Sequence, residues 1–239
     1  MIAALSAVLP AHNEERNVEW AVERCDAALQ SLGVDYELIV VDDVSGDATG
    51  TILDRLGRCY PRLRIVTRTA NPGYGAALRA GFAAARYDWI FFSHTDNQFD
   101  FTDLRLLLPY APAYDIVTGF RKPRRDPPMR RLNGWGWNVL IRLFFGSVVR
   151  DIDCGFKLFR RSLLEEVPIM SQGAMIDAEI VVGAHARAAR IREVNVPHYE
   201  RTHGQATGAK PIVILRALRD LVRYRVRLGR ELRGVEPPR

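Results

Sequence analysis

Short apolar runs alternate with segments of helical periodicity over the first two hundred residues of the chain. Runs rich in Val, Ile, Leu and Phe that end in polar residues are typical of buried strands, whereas apolar residues three and four positions apart indicate helices. The pattern predicts strands at residues 5–9, 36–41, 63–67, 89–93, 115–119, 155–159 and 191–196. It predicts helices at residues 14–32, 48–59, 75–86, 176–188 and 211–233, and a further helix beginning near Thr102.

This alternation predicts an α/β fold. Repeated β-α-β crossovers favour a mainly parallel, Rossmann-like sheet with helices on both faces. The chain shows no internal repeat and no linker, so we expect one domain over residues 1–209, followed by a basic helix and tail over residues 210–239. Ligands of such sheets bind beyond the carboxyl ends of the strands, and the residues that follow each strand are therefore the candidates for chemistry.

Composition and cysteine usage narrow the class of protein. Of 239 residues, 48% are hydrophobic and 26% are charged, which excludes a disordered or disulfide-stapled chain. The three cysteines, Cys25, Cys59 and Cys154, form no Cys-x-x-Cys pair, which favours a reducing compartment. Residues 1–13 are the longest stretch without Asp, Glu, Lys or Arg, and they lack the basic start of a signal peptide. We expect a cytoplasmic protein without a membrane-spanning segment.

The formal charge of +6 comes from the C-terminal segment. Residues 210–239 contain nine Lys and Arg residues against three acids, and the rest of the chain is neutral. Nucleic-acid binding usually requires positive charge spread over a surface of the folded domain, whereas here the excess charge lies in the C-terminal segment alone. No nucleic-acid partner is therefore expected. The predicted helix places five arginines on one face, namely Arg216, Arg219, Arg223, Arg227 and Arg230. It places five apolar residues on another face, namely Ile214, Leu218, Leu221, Leu228 and Leu232.

A second basic segment precedes a strongly apolar one. Residues 121–131 contain six cations and one acid, and three prolines predict that this segment is irregular. Residues 132–149 are rich in Trp and Phe and too short to span a bilayer. The two segments fit a phosphate clamp beside a membrane headgroup region, but they also fit a basic loop followed by a core helix. An anionic membrane surface is therefore a candidate partner.

Polar residues follow the first two predicted strands. Asn13 and Asp47 stand where helix caps are common. Asp42 and Asp43 are adjacent carboxylates that would repel one another, a cost that is usually tolerated where something binds, such as the base or ribose of a nucleotide. The sequence thus predicts a nucleotide at this edge of the sheet.

A Gly-x-Gly sequence opens the third predicted helix, at residues 73–75. Glycines at a helix start let the backbone approach a phosphate, which makes a dinucleotide-binding dehydrogenase the first alternative. Leu78 occupies the place of the third glycine of that fingerprint, and the motif follows the third strand instead of the first. The dinucleotide alternative therefore fails.

The fourth predicted strand is followed by His94, Asp96 and Gln98. If the chain stays extended, the three alternating side chains point the same way and offer one nitrogen and two oxygens to a divalent cation. Oxygen ligands without a thiolate favour Mg²⁺ or Mn²⁺ over Zn²⁺. The other interpretation is a capped turn before the helix near Thr102.

Six motifs in the right order resemble family 2 glycosyltransferases of the GT-A fold. Within that family the chain is most similar to the dolichyl- or polyprenyl-phosphate sugar synthases, such as the mannose synthases. The matching segments are Pro-x-x-Asn-Glu at residues 10–14, Val-Asp-Asp-x-Ser-x-Asp-x-Thr at 41–49, Asn-x-Gly-x-Gly-Ala at 71–76, Gly-x-Arg at 119–121, Asp-x-x-x-Gly-Phe-Lys-Leu-Phe-Arg at 151–160 and Arg-x-x-Gly at 201–204.

The resemblance implies roles for particular residues. The nucleotide sugar would be bound by Pro10, Ala11, His12, Glu14, Asp42, Asp43, Gly73 and Asp96. The metal ligands would be His94, Asp96 and Gln98, with His94 in the place of the family's first aspartate. Transfer itself would depend on Asp151, Arg121, Arg131 and Arg201. Arginines and a divalent cation, Mn²⁺ or Mg²⁺, would stabilise the departing diphosphate.

Three functional hypotheses follow. The first is an inverting transferase that moves a hexose from GDP-mannose or a UDP-sugar to a polyprenyl phosphate, at the periphery of a membrane. The second keeps the donor chemistry but uses a small soluble acceptor. A hydroxyl acceptor would need a general base, for which Asp151, Asp153, Asp177 and Glu179 are available. The third is a non-catalytic module that binds a nucleotide sugar or a membrane.

Overall fold

The computed structural model describes residues 2–201 and 211–234, with residues 211–214 described by their backbone alone. In this part of the chain seven strands form one sheet in the order β3-β2-β1-β4-β6-β5-β7. The strands are β1 (Ala4–Ala11), β2 (Asp35–Asp43), β3 (Leu63–Arg68), β4 (Trp89–Ser93), β5 (Ile116–Arg121), β6 (Phe156–Arg160) and β7 (Ile191–Val196). All seven predicted strands are therefore confirmed to within two residues at each end.

Seven α-helices accompany the sheet in the described residues. They are α1 (Val18–Ser31), α2 (Thr49–Cys59), α3 (Tyr74–Ala84), α4 (Pro128–Phe145), α5 (Arg161–Glu166), α6 (Met175–Ala186) and α7 (Pro211–Glu231). Two short 3-10 helices, Phe101–Leu106 and Leu108–Ala113, replace the single helix predicted near Thr102. Pro109 and Pro112 lie in the second of these, where a long α-helix would lose backbone hydrogen bonds. The six-residue helix α5 was not predicted because it is too short to show a period.

The sheet is mainly parallel, as predicted. β1 pairs in parallel with β2 and β4, β2 with β3, and β5 with β7. Only β6 runs against its neighbours, pairing antiparallel with both β4 and β5. Ser93, the last residue of β4, consequently lies opposite Phe156, the first residue of β6. The segment that precedes β6 thus reaches the same sheet edge as the segments that follow β1, β2, β4 and β5.

Side chains alternate between two cores along the central strands. On β1, Leu5, Ala7 and Leu9 pack with α1, α2 and the first 3-10 helix, whereas Val8 packs on the other face with α3 and α6. The period of two in a strand places successive residues on opposite faces, which is why runs without polar residues were visible in the sequence. A third cluster joins α4, α6 and α7.

The segment at residues 121–131 is less irregular than predicted. Helix α4 begins at Pro128, so Arg130 and Arg131 lie in its first turn. Proline lacks only an amide proton that the first turn of a helix leaves unpaired, and the first helical position therefore tolerates it. The prediction that prolines exclude regular structure here was wrong for residues 128–131.

The Trp- and Phe-rich helix α4 lies at the surface. Ile141 is its only buried residue in the described structure. Large apolar side chains on its outer side are exposed, including Met129 at 66%, Trp135 at 65% and Leu143 at 75%. The interpretation of this segment as a core helix was wrong, and the apolar surface it creates needs another explanation.

Helix α7 packs against the body of the protein. Leu221, Tyr224 and Leu228 are buried against α6. Arg227, which was expected on a solvated arginine face, is turned inward and pairs with the buried Glu179 of α6. Leu232, which was expected on the apolar face, is exposed. Whether residues 210–239 form a unit apart from residues 1–209 stays a prediction.

None of the helices within residues 2–201 and 211–234 combines the length and the hydropathy that crossing a bilayer requires.

Candidate active site at the carboxyl edge of the sheet

Loops after β1, β2 and β4 are joined by direct hydrogen bonds. The Thr95 hydroxyl donates to the carbonyl of Pro10 over 3.1 Å, and His12 Nδ1 lies 2.7 Å from the carbonyl oxygen of Asp43. Pro10 and Ala11 end strand β1, and His12 directly follows them. These contacts bring the predicted nucleotide-binding residues of three separate segments to one edge of the sheet.

Asn13 braces the loop after β2 instead of capping a helix. Its backbone has a φ of 54°, and its side-chain oxygen accepts a hydrogen bond from the Gly46 amide over 2.8 Å. The Glu14 amide donates to Thr49 Oγ1 over 2.8 Å. Asp47, by contrast, accepts from the Thr49 amide over 3.0 Å at the start of α2. The caps of α1 and α2 are Asn17 and Ala48, so neither Asn13 nor Asp47 is the cap residue, although Asp47 bonds the first amide of α2 from the position before its cap.

The two adjacent aspartates of β2 have different partners. Asp43 pairs with Arg68 and accepts a hydrogen bond from the Gly73 amide over 2.7 Å. Asp42 accepts from the Ser45 amide over 3.1 Å and lies next to Gly50. The repulsion expected between the two carboxylates is relieved by Arg68, so Asp43 has a structural function whatever else it binds.

The Gly-x-Gly sequence of α3 receives another part of the protein backbone. The Gly75 amide donates to the carbonyl of Gln172 over 2.8 Å. A Cβ atom at Gly75 would overlap the carbonyl oxygen of Ser171, and one at Gly73 would lie 3.0 Å from the carbonyl oxygen of Gln172. Residues 171–172 thus occupy the space beside both glycines, which gives the glycines a packing role, and the predicted contact of Gly73 with a nucleotide stays a prediction.

Replacing Gly75 by Ala should therefore destabilise the protein by about 1–3 kcal/mol, the usual cost of overpacking. Gly136→Ala is the matched control, since that glycine also lies inside a helix but has open space where a Cβ would be. The control should be neutral or stabilising by up to about 1 kcal/mol, because alanine is the better helix former. Urea unfolding measures both, and equal effects of the two substitutions would contradict the packing role of Gly75.

Residues 94–98 do not follow the extended course that the metal prediction assumed. The backbone bends after β4, and Asn97 has a φ of 60°. Gln98 is buried, and its amide donates to the carbonyl of Tyr199 over 3.3 Å and accepts from Arg130 over 3.4 Å. Gln98 therefore binds protein groups instead of joining His94 and Asp96.

His94 and Asp96 remain neighbours. His94 Nδ1 lies 3.9 Å from Asp96 Oδ2, and the same carboxylate oxygen accepts a hydrogen bond from Arg201 over 2.6 Å. Glu14 lies within electrostatic reach, and its pKa is raised mainly because it is buried, against a hydrogen bond from Asn17. Arg201 thus pairs directly with the carboxylate that was predicted to hold a metal.

The donor set fits a cation that is shared with a substrate and does not fit a closed protein cage. Among the described residues, no group of three or more His, Cys, Asp and Glu side chains could hold a metal ion. Mg²⁺ is usually bound by one or two protein ligands together with substrate phosphates and water. His94 and Asp96 supply two such ligands, and the third predicted ligand, Gln98, has other partners.

Arg121 and Asp151 form a buried ion pair with two parallel hydrogen bonds. Arg121 Nε and Nη2 donate to the two carboxylate oxygens over 2.7 and 2.6 Å. Burial alone would raise the pKa of Asp151, but the hydrogen bonds and charge of Arg121 outweigh it and lower that pKa. Both residues were predicted to take part in transfer. In the structure the charge of each is neutralised by the other.

A single carboxylate organises the arginines beside this pair. The side chain of Asp126 is fully buried, and Arg124 donates to it over 2.6 Å. Arg130 lies 3.1 Å and Arg121 3.7 Å from the same carboxylate. The sequence placed Asp126 within a basic run but gave no sign that it collects three of the cations.

Next to these arginines lies a cavity of about 520 Å³. Five arginines line it, namely Arg121, Arg124, Arg131, Arg142 and Arg150. Its apolar walls include Phe120, Leu132, Trp135 and Val139. Sequence reasoning placed Arg131 in a phosphate clamp but missed Arg142 and Arg150, because single cations beside an apolar helix carry no motif.

The four acids proposed as general bases lie in different environments. Asp151 pairs with Arg121, Asp177 with Lys157 and Glu179 with Arg227. Asp153 accepts a hydrogen bond from Trp137 Nε1 over 3.1 Å. Its pKa is raised to about 7, mainly by burial and also by Asp177. His203 and Gly204 of the last motif lie outside the described residues.

The sheet order and the strand-end loops agree with the GT-A fold that the sequence motifs predict. It belongs to glycosyl transferase family 2, whose model matches residues 6–168. The resemblance read from the sequence motifs is thereby confirmed.

The chain is similar to proteins named for transfer to polyprenyl phosphates. It is 33% identical to dodecaprenyl-phosphate galacturonate synthase of Rhizobium johnstonii, over 94% of this chain and 69% of that protein. It is 30% identical to an undecaprenyl-phosphate 4-deoxy-4-formamido-L-arabinose transferase of Pseudomonas paraeruginosa, over 86% of this chain and 60% of that protein. The chain therefore spans roughly two thirds of the length of these relatives.

Among solved structures, glucosyl-3-phosphoglycerate synthase of Mycobacterium tuberculosis in complex with UDP shares the fold. The TM-score is 0.72 at 21% identity, over 98% of this chain and 82% of that one. At this identity the likeness supports the fold alone.

Proposed function

We propose that this chain is an inverting glycosyltransferase that moves a hexose from a nucleotide sugar to a polyprenyl phosphate. The observation that carries the proposal is the cavity beside α4, where five arginines meet an exposed apolar helix. A phosphate with a long hydrocarbon chain requires that combination of charge and apolar surface. The names of the two polyprenyl-phosphate relatives support the same acceptor.

The donor side of the proposed site is the carboxyl edge of the sheet. Pro10, Ala11, His12, Glu14 and Asp42 would contact the nucleotide, and Asp43 and Gly73 would hold that edge in place through their own hydrogen bond. The sugar diphosphate would lie beside Asp96 and Arg201. A divalent cation held by His94 and Asp96 would supply positive charge to the leaving diphosphate.

The acceptor needs orientation more than deprotonation. A phosphate monoester is ionised at neutral pH, so its oxygen can attack the anomeric carbon while the bond from that carbon to the diphosphate breaks on the opposite side. Arg131 and Arg142 are exposed at the cavity and would position the phosphate, whereas Asp151 is held by Arg121 and would act through that arginine. No general base is required for this acceptor.

The apolar side of α4 would lie in the headgroup region of a membrane. Trp is favoured at this depth, and cations such as Arg131 and Arg142 are attracted to anionic lipids by up to about 1 kcal/mol each. Helix α7 adds exposed arginines and exposed Leu215, Val222 and Val226 next to the same helical layer. The enzyme would thus work as a peripheral protein at the membrane surface.

A matrix of donors and acceptors tests the proposal. The donors are UDP-glucose, UDP-galacturonate and GDP-mannose; the acceptors are undecaprenyl phosphate in anionic vesicles and a soluble phosphate monoester such as 3-phosphoglycerate. Release of nucleoside diphosphate is measured with and without each acceptor. We expect release with one donor that depends on undecaprenyl phosphate. Release that depends only on the soluble monoester would overturn the lipid assignment.

A further inference from the structure

His94 is the residue at which this chain departs from its family's metal-binding pattern, and a series of hydrogen-bonded polar groups holds its ring. His94 Nε2 lies 3.0 Å from the hydroxyl of Tyr74, and that hydroxyl lies 3.0 Å from Asp177 Oδ2. Lys157 Nζ lies 2.5 Å from Asp177 Oδ1. The order of groups is therefore Lys157, Asp177, Tyr74 and His94. Lys157 and Asp177 are buried, and Tyr74 and His94 are half-buried.

The direction of each hydrogen bond in this chain is determined by its charged end. Asp177 is paired with an ammonium group, so it is a carboxylate and can only accept hydrogen bonds. The single hydroxyl proton of Tyr74 is consequently donated to Asp177. The Tyr74 oxygen can then only accept from His94, which requires a proton on Nε2.

The ring is also held sterically. A Cβ at Gly155 would overlap the imidazole of His94, so glycine at this position is what allows the ring to lie there. Phe92 contacts the ring edge-on, with centroids 5.3 Å apart. With the Nε2 proton donated to Tyr74, the other nitrogen of the neutral ring, Nδ1, carries a free lone pair.

That lone pair faces a carboxylate. Nδ1 lies 3.9 Å from Asp96 Oδ2, which also accepts a hydrogen bond from Arg201, and this separation is too long for a hydrogen bond but allows one cation to bind both atoms. We propose that Tyr74 is a positioning residue that fixes His94 as the Nε2–H tautomer, so that Nδ1 acts as a neutral ligand for a divalent cation shared with Asp96. The inference deepens the proposed function and rests on it for the use of the cation.

The tautomer can be measured without metal or substrate. In ¹⁵N NMR spectra of the metal-free protein, the two ring nitrogens of a neutral histidine differ by tens of ppm, and the pattern of cross-peaks identifies the protonated one. The His94 signals are assigned by their absence in His94→Gln. We expect Nε2 to be protonated in the wild type. A proton on Nδ1, or on both nitrogens at pH 7.5, would overturn the proposal.

Tyr74→Phe removes the acceptor oxygen and keeps the ring. With that oxygen gone, Nε2 loses its acceptor while the Asp96 carboxylate stays 3.9 Å from Nδ1, so we expect the proton to move to Nδ1. Mn²⁺ affinity, measured by EPR titration in the presence of UDP or GDP because the site shares its cation with substrate phosphates, should fall by roughly 10- to 100-fold, the usual effect of losing a hydrogen-bond partner of a ligating histidine. Tyr87→Phe is the matched control, because that hydroxyl also donates to an aspartate, Asp35, over 2.9 Å but on the surface.

The possible outcomes separate the inference from the proposed function. Unchanged Mn²⁺ affinity in Tyr74→Phe with UDP or GDP present would overturn the inference, as would equal Mn²⁺ affinity of the wild type and His94→Gln under the same conditions. If Tyr74→Phe does not fold, the wild-type spectrum alone still decides the tautomer. If the wild type transfers sugar to undecaprenyl phosphate but has its proton on Nδ1, the inference fails and the proposed function stands. If the wild type has the expected tautomer and Mn²⁺ affinity but transfers sugar to no acceptor, the proposed function fails and the inference stands.

Discussion

Replacing Arg131 and Arg142 together by glutamine should weaken the use of polyprenyl phosphate by a factor of about 100 or more. Each charge-assisted contact with a phosphate contributes about 1.5–3 kcal/mol, and two such contacts are lost. Both arginines line the cavity beside α4, and both are exposed, with no ion pair among the described residues. Their loss should therefore leave folding and donor binding nearly unchanged.

The measurement is kcat/KM for the acceptor in anionic vesicles, with KM for the donor determined in parallel. Arg58→Gln with Arg105→Gln is the control pair, since these arginines are also exposed but lie on α2 and the first 3-10 helix. The control pair and the cavity pair each lose two positive charges, so a general loss of attraction to anionic lipid would lower the activity of both double variants. If the cavity variant and the control pair lose the same activity, the arginines act through membrane attraction and do not clamp the phosphate.

The location of the site could be predicted because it depends on where strands end. Strands of a covered parallel sheet are nearly continuous apolar runs, so their ends, and with them Pro10, Asp42 and His94, are visible in the sequence. What the side chains do at those ends depends on residues far away in sequence. Arg68 neutralises Asp43, Arg201 binds Asp96, and Gln172 fills the space beside Gly75. No local pattern predicts such partners.

The surface helices also have contacts that no local sequence pattern predicts. A helical period predicts that one face of α7 is apolar, but it does not say which neighbour covers that face. Arg227, on the predicted arginine face, forms an ion pair with the buried Glu179 of α6 and therefore lies in the contact between the two helices. In α4 the apolar residues outnumber those that the body can bury, which left Trp135 and Leu143 exposed. That surplus is visible only once the packing is known.

The buried pair of Arg121 and Asp151 gives the largest expected effect on stability. Replacing Arg121 by methionine leaves a buried carboxylate without its cation, and the free energy of unfolding should fall by about 3–5 kcal/mol. For a chain of this size, that loss corresponds to roughly 6–20 °C in Tm. Adding Asp151→Leu removes the uncompensated charge, so the double variant should recover most of the lost stability.

The pH dependence identifies the carboxylate as the cause. In the wild type the pKa of Asp151 is lowered, so its contribution to stability is present above the unfolded value of about 3.9 and is lost as the pH falls through the lower folded value. In Arg121→Met the unpaired carboxyl is favoured when protonated, so its deficit against the wild type should be larger at pH 7 than at pH 4. Urea unfolding at the two pH values measures this difference. Two results would contradict this account: a loss of stability that is equal at the two pH values, or a double variant no more stable than Arg121→Met. Either would mean that Arg121 stabilises the fold by the packing of its side chain and not by neutralising the charge of Asp151.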